Sequence, residues 1–585
     1  MLALSFDFSQ GIPLSEVLGV FWQGIRLDLS AAAYLFILPL LLIPFIGGNL
    51  HNQLLGWIQN YYRVVTVICT LLCLANAVIY RFWGTLLNVR ALEFALYPKE
   101  MLASISNLQL ILIVVALLLA CIMTGVLRKK ILDDALQQLP AGITTSVVSF
   151  LILIGINFTC IRGGWSLIPV NEAAAAYSSN NSLNSISLNP LWYLGNNMYR
   201  SSGSKGNPFE HLAAEESQAI TQSVLENKLV IDPDSVLRNR QCNVVMILLE
   251  SWTADVIEPM GGLPGVTPFF STLAKEGLLF TRTYSSGFRT DQGLTSVLSG
   301  FPAIPDKSVI RFVDKTEKLP ALGKSFGEAG YHNSFYYGGE LAFANMNNYL
   351  LQSGFKNRTD ISAFSDDEKN SKWGAHDEYL FNRMLADLDQ TPIPFFNVLL
   401  TLSTHEPFES PRPTPFGKSN EADKFKGSAW YTDQCLQAFF EQAKTKPWFD
   451  NTLFVLVADH GHRLPLNRDY LDPASRRIPV LLYGKPLAVS FQGKTIDRTS
   501  SQHDLPATLL SIMGRDASLF KWSRNMLGDP ATGFAYLNQD QAITFVTATD
   551  TTRVALVKDL QVGDHAPKRK AVAYLQELYR TFLGL

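Results

Sequence analysis

The sequence predicts a protein of two parts, an N-terminal multi-span α-helical membrane domain and a C-terminal α/β domain with a mainly parallel sheet. Two observations lead to this fold class. Apolar residues make up 47% of the 585-residue chain, and their excess is concentrated in the first 165 residues. From about residue 240 onward, apolar runs of strand length alternate with helical patterns. Such alternation is typical of βαβ units and a parallel sheet.

Charge and cysteine content narrow the function classes. The formal net charge is -2, and charged residues are only 17% of the chain. The chain therefore lacks the bulk basic field that nucleic acid attracts, and we expect no nucleic-acid partner. Cys242 and Cys435 lie in the C-terminal part without a Cys-x-x-Cys or Cys/His spacing. They are interpreted as core residues rather than as a disulfide framework or a zinc site.

Four apolar segments of the N-terminal part approach or reach the length of a membrane span, which is about 20 residues. Buried helices of a soluble protein are the alternative, but four such segments in succession are hard to cover with soluble structure. Residues 1–29 carry four charged side chains and are predicted to form an interfacial segment; residues 30–162 are predicted to form the transmembrane domain. The four predicted spans are residues 30–47, 64–80, 108–126 and 144–160.

The loops between these segments predict their orientation. Arg128, Lys129 and Lys130 form the densest basic cluster near any span, and the positive-inside rule places them in the cytoplasm. The fourth span then exits outward, so residues from about 163 are expected on the outer face. Four spans would also leave the N-terminus outside, so a further N-terminal span is expected to be missing from this sequence. The Ser/Asn-rich residues 163–235 predict an extended juxtamembrane linker with short helices along the membrane surface.

Three predicted strands of the C-terminal part end in side chains that suit a metal. One apolar run ends in Asp459 and His460, a second ends in Glu250, and a third leads to His405. Ligands of open α/β sheets bind at the carboxyl ends of the strands, so these side chains predict a metal site. Carboxylate and hydroxyl oxygens with a single histidine favour Mn²⁺ or Mg²⁺, with Zn²⁺ as an alternative.

A candidate nucleophile follows the strand that comes after Glu250. Residues 291–298 predict a short helix whose N-terminus begins at Thr290. Free backbone N-H groups and the helix dipole at this position stabilise an attached phosphate. Threonine is a poor nucleophile until a divalent cation lowers its hydroxyl pKa. A plain helix cap is the structural alternative, and the neighbouring acid and histidine strand ends favour catalysis; Arg289 is placed to contact the phosphate.

An ordered set of motifs between about residues 240 and 525 resembles the lipoteichoic-acid-synthase-like phosphoglycerol transferases of the sulfatase and alkaline-phosphatase superfamily. The resemblance implies a sulfatase-like catalytic domain at residues 236–525, which the strands and helix of residues 526–585 complete. The motifs are Ile247-Leu-Leu-Glu250-Ser-Trp, Arg289-Thr290-Asp291-Gln-Gly-Leu, Leu298-Ser-Gly-Phe-Pro302, Tyr336-Tyr-Gly-Gly-Glu340, Lys372-Trp373-Gly-Ala-His-Asp377, Ser403-Thr-His405-Glu-Pro-Phe408, Ala458-Asp459-His460-Gly-His462 and Gln502-His503-Asp504-Leu-Pro.

The same resemblance implies roles for single residues. One divalent metal, usually manganese in this branch, is expected at the centre of the site with Thr290 as the nucleophile. His405 matches a contact to the substrate phosphate or headgroup, and Trp373 lines the same pocket. His462 and His503 are further candidates, each expected more often to be structural or to support a ligand. The implied metal ligands are Glu250, Thr290, Asp459 and His460.

The implied activity is a two-step transfer on the outer side of a bacterial inner membrane. Thr290 would take a phosphoglycerol group from phosphatidylglycerol, release diacylglycerol, and pass the group to an envelope glycan or lipid acceptor. A formylglycine sulfatase needs Cys or Ser followed by x-Pro-x-Arg, whereas Thr290 is followed by Asp-Gln-Gly-Leu. Two alternatives stay open: a phosphoethanolamine transferase, and a non-catalytic envelope-lipid sensor, which would require a broken ligand set.

Overall fold

The chain divides into two compact units, Met1–Lys205 and Gly206–Leu585. The structure is a computed structural model, and it describes residues 12–46, 51–83, 86–87, 107–130, 143–178, 180–201, 206–539, 541–557 and 560–585. The predicted Lys129 and Lys130 cluster is described, whereas residues 1–11 of the predicted interfacial segment lie outside these ranges.

The first unit is helical. Among the described residues, three of its helices are long and apolar enough to cross a membrane, over Leu14–Phe45, His51–Tyr80 and Thr144–Arg162. The third predicted span lies in a helix whose described apolar stretch, Leu118–Leu127, is shorter than a span. Three of the four predicted segments therefore lie in helices of spanning length. The helices of this unit are α1 (Leu14–Ile46), α2 (His51–Trp83), α3 (Asn107–Arg128), α4 (Ile143–Arg162), α5 (Asn181–Ser187) and α6 (Pro190–Ser201).

Helix α1 extends well past the end of α4. The Ser30 hydroxyl donates a hydrogen bond to the Ile161 carbonyl at 2.8 Å, and Arg26 Nε donates to the Gly163 carbonyl at 2.8 Å. The end of α4 thus lies beside the middle of α1. Residues 14–29 continue the same helix as the predicted span, so no break between elements falls at residue 29.

The short helices predicted for the linker at residues 163–235 are present, but the linker is not a single extended segment. Its first part packs on α1: Leu183 is fully buried against Val17 and Val20. Its second part, from residue 206, belongs to the C-terminal unit and includes helix α7 (Ala214–Leu225). The polar composition was misleading because several of these polar side chains cap helices, as Asn180 does by accepting a hydrogen bond from the Ser182 N-H at 2.9 Å.

The C-terminal unit is built on a nine-stranded mixed sheet. Its central strands are continuous apolar runs in which every residue is buried, as expected for strands covered on both faces. The spatial order is β4-β3-β5-β1-β6-β7-β2-β8, with β9 paired to β2. The sheet strands are β1 (Asn243–Leu249), β2 (Leu278–Tyr284), β3 (His332–Tyr337), β4 (Asn357–Thr359), β5 (Phe395–Leu400), β6 (Thr452–Ala458), β7 (Arg477–Tyr483), β8 (Lys494–Ile496) and β9 (Ser500–Ser501).

Strand β7 is the exception to the parallel arrangement, because it pairs antiparallel with both β6 and β2. The prediction of a mainly parallel sheet is confirmed, and the short strands β4, β8 and β9 are additions to it. A second sheet of three antiparallel strands contains the predicted C-terminal strand pair and one further strand. These strands are β10 (Phe534–Asn538), β11 (Ala542–Thr547) and β12 (Thr551–Ala555).

Helices cover the faces of the sheet and close the unit at its C-terminus. The predicted C-terminal helix is present and packs on α7. The remaining helices of the unit are α8 (Pro268–Ala274), α9 (Thr290–Ser299), α10 (Val313–Thr316), α11 (Leu322–Glu328), α12 (Met346–Gln352), α13 (Asp377–Leu388), α14 (Glu421–Ala443), α15 (Leu505–Ile512) and α16 (Ala566–Gly584).

Candidate active site

Two carboxylates meet at the carboxyl ends of neighbouring strands. Strands β1 and β6 are parallel, with Leu249 opposite Ala458, so the next residues, Glu250 and Asp459, lie side by side. Both side chains are buried. Asp459 Oδ1 accepts hydrogen bonds from two backbone N-H groups, those of Ser251 at 2.8 Å and His460 at 2.7 Å. The strand register therefore places two fixed carboxylates at one edge of the sheet.

The Thr290 hydroxyl reaches the same edge from strand β2. Because β2 and β6 are both antiparallel to β7, they run in the same direction, and the loop after β2 leads to helix α9 at this edge. Thr290 is the first residue of α9, and its Oγ1 donates a hydrogen bond to Glu250 Oε2 at 3.1 Å. The predicted helix is confirmed; Arg289 occupies the N-cap position without a side-chain hydrogen bond to the helix, so Thr290 is not the helix cap.

His460 is held in the tautomer that suits a metal ligand. Its Nδ1 lies 2.9 Å from the Gly461 carbonyl, which can only accept, so Nδ1 carries the proton of the neutral ring. The Nε2 lone pair then faces Glu250 Oε1 at 3.5 Å and Asp459 Oδ2 at 3.6 Å. A lone pair aimed at two carboxylates is unfavourable unless a proton or a cation lies between them.

The side chains at this edge fit a divalent cation. One potential ligand atom from each of Glu250, Asp459 and His460 lies within 4.8 Å of the others. The buried Asp459 Oδ2 has no hydrogen-bond partner. Buried polar atoms are nearly always satisfied, so this atom is consistent with a bound ion as its partner. Two carboxylates, a hydroxyl and one imidazole are a donor set that Mn²⁺ and Mg²⁺ accept.

The ionisation of these groups reflects their crowding. Burial and the neighbouring Glu250 raise the pKa of Asp459 to about 8. For Glu250, burial is outweighed by the hydrogen bond and charge of His460, which hold its pKa below the ordinary value. Burial opposes protonation of His460, but the charges of Asp459 and Glu250 raise its pKa to about 9. The metal-free cluster therefore retains protons that a divalent cation would displace.

Two of the predicted substrate contacts lie together: Trp373 comes shortly before α13, and His405 lies on the loop that follows β5. The rings of Trp373 and His405 meet edge to face, with centroids 4.7 Å apart. Both rings donate to one acceptor, the Glu406 carbonyl, from Trp373 Nε1 at 2.6 Å and from His405 Nδ1 at 3.0 Å. This leaves His405 Nε2 available to a ligand. The structure thus brings Trp373 and His405 together as one surface.

Arg289 lies next to the nucleophile. Its side chain is 42% exposed, and its Nε is 4.0 Å from Asp291 Oδ1. The guanidinium lies over the Phe288 ring, 4.9 Å from the centroid, while Arg476 lies 4.8 Å from the centroid of the same ring. Arg476 was not predicted; it precedes β7, whose reversed direction brings this residue to the catalytic edge, and strand direction is not readable from an apolar run.

The two further histidine candidates have different surroundings. His462 stacks on Phe425 at 4.8 Å, its Nδ1 accepts from the Leu464 N-H at 3.1 Å, and its Nε2 is 3.9 Å from Glu406 Oε1. It is thus part of the wall beside Glu406. His503 is buried, and its Nε2 lies 3.1 Å from the Tyr574 hydroxyl of α16, which indicates a structural contact.

Sequence reasoning missed the residues that hold Glu250. The Glu250 N-H donates to Thr401 Oγ1 at 2.9 Å, and the Glu250 carbonyl accepts from the Thr404 hydroxyl. Asp377 fixes the same loop by accepting from the Leu402 N-H at 2.6 Å. The hydroxyl-rich stretch after β5 was the available signal, because hydroxyls directly after a buried strand can bond to its neighbour's backbone.

Comparisons with known proteins agree with this architecture. Residues 242–515 match the Sulfatase family model. Over 302 residues the chain is 26% identical to lipoteichoic acid synthase 2 of Bacillus subtilis, covering 47% of this chain and 45% of that protein. Over 336 residues it is 25% identical to phosphoglycerol transferase I of Citrobacter koseri, covering 53% of this chain and 42% of that protein. The match thus spans less than half the length of these relatives.

A solved structure shows the same fold. A protein of the alkaline phosphatase superfamily from Vibrio parahaemolyticus superposes with a TM-score of 0.57 and 25% sequence identity, covering 64% of this chain and 97% of that one. The sheet topology, the edge that carries the candidate metal ligands and the family match point to one assignment. Residues 242–515 of this chain match a sulfatase-family domain, and the unit that contains them has an alkaline-phosphatase-like fold.

Proposed function

We propose that the chain is a membrane-anchored, metal-dependent transferase that moves a phosphoglycerol group from phosphatidylglycerol to an envelope glycan or lipid acceptor. The observation that carries the proposal is the Thr290 hydroxyl, which lies at a helix N-terminus and 3.1 Å from Glu250 in a buried cluster suited to a cation. The similarity to proteins named lipoteichoic acid synthase and phosphoglycerol transferase supports the group transferred. The helices of spanning length support attachment to a membrane.

In the proposed first step, Thr290 Oγ1 attacks the phosphorus of the donor. A bond forms between this oxygen and phosphorus, the bond from phosphorus to the diacylglycerol oxygen breaks, and diacylglycerol leaves. The hydroxyl proton leaves Thr290 on the side of Glu250 Oε2, which accepts the Thr290 hydrogen bond, and a proton ends on the leaving oxygen. A bound divalent ion, proposed to be Mn²⁺ held by Glu250, Thr290, Asp459 and His460, would lower the hydroxyl pKa and offset phosphate charge.

The second proposed step returns the enzyme to its starting state. An acceptor hydroxyl attacks the phosphorus of the glycerophospho-threonine, the bond to Thr290 Oγ1 breaks, and the acceptor proton restores the threonine hydroxyl. The N-terminus of α9 stabilises the phosphate charge in both steps. His405 and Arg289 are proposed to contact the phosphate or headgroup, with Trp373 as an apolar wall. In the proposed orientation the catalytic unit lies on the extracytoplasmic side.

The test uses the full chain in lipid nanodiscs with Mn²⁺ and a fluorescent phosphatidylglycerol, and it measures diacylglycerol release. We expect Thr290→Ala to abolish release, and peptide mass spectrometry of the wild type to find a glycerophospho group on Thr290. Thr295→Ala is the matched control, because Thr295 is a buried threonine of the same helix that donates to the Gln292 carbonyl and does not touch the cluster.

The other outcomes are equally specific. Release from phosphatidylethanolamine but not from phosphatidylglycerol would replace this proposal with the phosphoethanolamine transferase. No release from either lipid by a protein that binds Mn²⁺ would contradict catalysis and favour the sensor.

A further inference from the structure

In the first unit, the middle of α1 lies at the same height along the helix axes as the ends of α2 and α4. Ser30 in the middle of α1 bonds to Ile161 at the end of α4. Near the end of α2, Tyr80 packs in the cluster that contains Leu27 and Val170. From Ala31 to Ile46, α1 has no charged residue, whereas Arg26 and Asp28 lie on the other side of Ser30. The predicted spans also end at residues 30, 80 and 160, so this height is the expected edge of the membrane hydrocarbon.

A cavity of about 620 Å³ opens at this height. One wall is the face of α1 just inside the apolar zone, where Ala31, Tyr34 and Leu35 lie; the facing wall is α6, with Trp192 and Gly195. Trp192 Nε1 donates to Ser30 Oγ at 3.2 Å, which fixes α6 at the level where the hydrocarbon begins. The cavity therefore lies where a lipid headgroup joins its acyl chains.

The residues that line this cavity disfavour a charged headgroup. None of the residues that line this cavity, within the described part of the unit, is acidic, basic or a histidine. A phosphate placed there would have no cationic partner in the lining, which is costly at a site of low dielectric. The amide oxygen of Asn196 and the phenol of Tyr34 suit hydroxyl groups instead. The volume is in the range of small-molecule sites and admits a glycerol or a sugar.

A second cavity continues toward the apolar side. It measures about 780 Å³ and is lined almost entirely by apolar atoms of α1, α2, α3 and α4, including Phe36, Leu74 and Leu153. Leu35 lines both cavities, so the two spaces are neighbours on either side of this side chain. A lipid with its headgroup in the first cavity would have its acyl chains next to Leu35 and the second cavity.

From this arrangement we infer that the first unit binds a diacyl lipid with an uncharged, hydroxyl-bearing headgroup. The inference rests on the membrane attachment in the proposed function. It assigns the headgroup to the cavity between α1 and α6 and the acyl chains to the cavity among α1, α2, α3 and α4. Two lipids of the proposed reaction have this chemistry: the released diacylglycerol, and an acceptor with a glycosyl headgroup. A phosphatidylglycerol donor, which is anionic, is not bound here.

Gly195 offers a sharp test. A Cβ added at Gly195 meets no atom within 4 Å, and the residue lines the cavity, so a leucine side chain there fills the space without displacing the fold. Gly195→Ala fills it only in part and serves as the second, milder variant. Gly56→Leu is the matched control: Gly56 is a helical glycine of α2 that also meets no atom within 4 Å and lines neither cavity.

The experiment uses the full chain in nanodiscs that contain trace lipids with a photoreactive diazirine on the acyl chain. Three probes share these chains: diacylglycerol, monohexosyl diacylglycerol and phosphatidylglycerol. We expect an uncharged probe to label peptides of α1 and α6, and Gly195→Leu to reduce this labelling about tenfold, with a smaller loss for Gly195→Ala and none for Gly56→Leu.

Each result decides the inference. Labelling by the hexosyl probe alone supports it with an acceptor lipid, and labelling by diacylglycerol supports it with the released lipid. Equal labelling by phosphatidylglycerol, or labelling that Gly195→Leu leaves unchanged, overturns it. Diacylglycerol release is measured on the same samples: wild-type protein that is labelled but releases none contradicts the proposed function alone, whereas release without labelling contradicts this inference alone.

Discussion

Asp459 shows most directly how single residues prepare the site for a cation. Its Oδ2 is buried without a hydrogen-bond partner, and its pKa is raised to about 8 by burial and Glu250. The metal-free site is therefore strained by two adjacent acids, and a cation relieves that strain. A charged Asp459 therefore favours metal binding but lowers the stability of the metal-free protein.

We predict that Asp459→Asn stabilises the metal-free protein but removes the stabilisation by Mn²⁺. For wild type, a metal concentration of 100 times Kd adds about 2.7 kcal/mol to the free energy of unfolding. Thermal unfolding with and without Mn²⁺ measures both effects. Asp433→Asn is the control, because burial raises the pKa of Asp433 to about 7 although it lies outside the cluster; it should retain the Mn²⁺ shift. An intact Mn²⁺ shift in Asp459→Asn would remove Asp459 from the ligand set.

We predict that the buried His503 ring makes the free energy of unfolding depend on pH. Burial lowers its pKa from 6.5 to about 4. Between these values the unfolded chain binds a proton that the folded chain excludes, so the free energy of unfolding falls as pH falls below 6.5. The loss from this residue is on the order of 3 kcal/mol by pH 4. Denaturant unfolding between pH 7 and 4 measures it, and His503→Gln should flatten the profile; an unchanged slope would contradict burial of the neutral ring.

Helix α9 is positioned by one close approach to β6. A Cβ on Gly293 would lie 2.1 Å from the Asp459 carbonyl oxygen, closer than any side chain tolerates. Gly293→Ala is therefore predicted to displace the helix that carries Thr290. We expect a loss of about 1 to 3 kcal/mol in stability and of roughly 100-fold in diacylglycerol release.

The control for this prediction is Gly584→Ala, another glycine within a helix. A Cβ on Gly584 meets no atom within 4 Å, so its effect on both measurements should be small. Full activity of Gly293→Ala would contradict the prediction, because it would show that α9 can move away from Asp459 without loss of function.

The elements that the sequence predicted are those with a strong local pattern. Strand β6 and its Asp459-His460 end were predictable because a short run rich in Val and Leu, bounded by polar residues, is typical of a buried parallel strand. The direction of β7 was not predictable, since an apolar run reads the same in both directions, and Arg476 was missed with it. The short helices predicted after residue 163 are present, but the burial of this segment was not predictable, because it depends on α1, a partner that no local pattern identifies.

At the scale of the molecule, the C-terminal unit begins earlier than the predicted domain boundary. The side chain of Gln576 on α16 accepts from the Leu212 N-H at 3.0 Å and donates to the Leu212 carbonyl at 2.9 Å. Phe209 packs edge to face on Tyr579, with centroids 5.1 Å apart. Residues 206–235 are therefore part of the folded unit.

We predict that a fragment of residues 206–585 is more stable than one of residues 236–585. Removal of the earlier residues exposes the face of α16 that holds Phe209 and α7, and the unfolding temperature should fall by at least about 5 °C. Thermal unfolding of the two fragments provides the comparison. Equal unfolding temperatures would show that residues 206–235 contribute nothing to the fold.

The alignment of helix ends at Ser30 also limits the kind of bilayer that suits this protein. From that height to the far end of α1 there are about 17 residues, or roughly 25 Å of helix, against a typical hydrocarbon thickness of about 30 Å. Hydrophobic mismatch is therefore expected in a thick bilayer, which must thin locally around the protein. Short or unsaturated acyl chains would relieve that mismatch, so the lipid composition of its membrane becomes a determinant of this protein's stability.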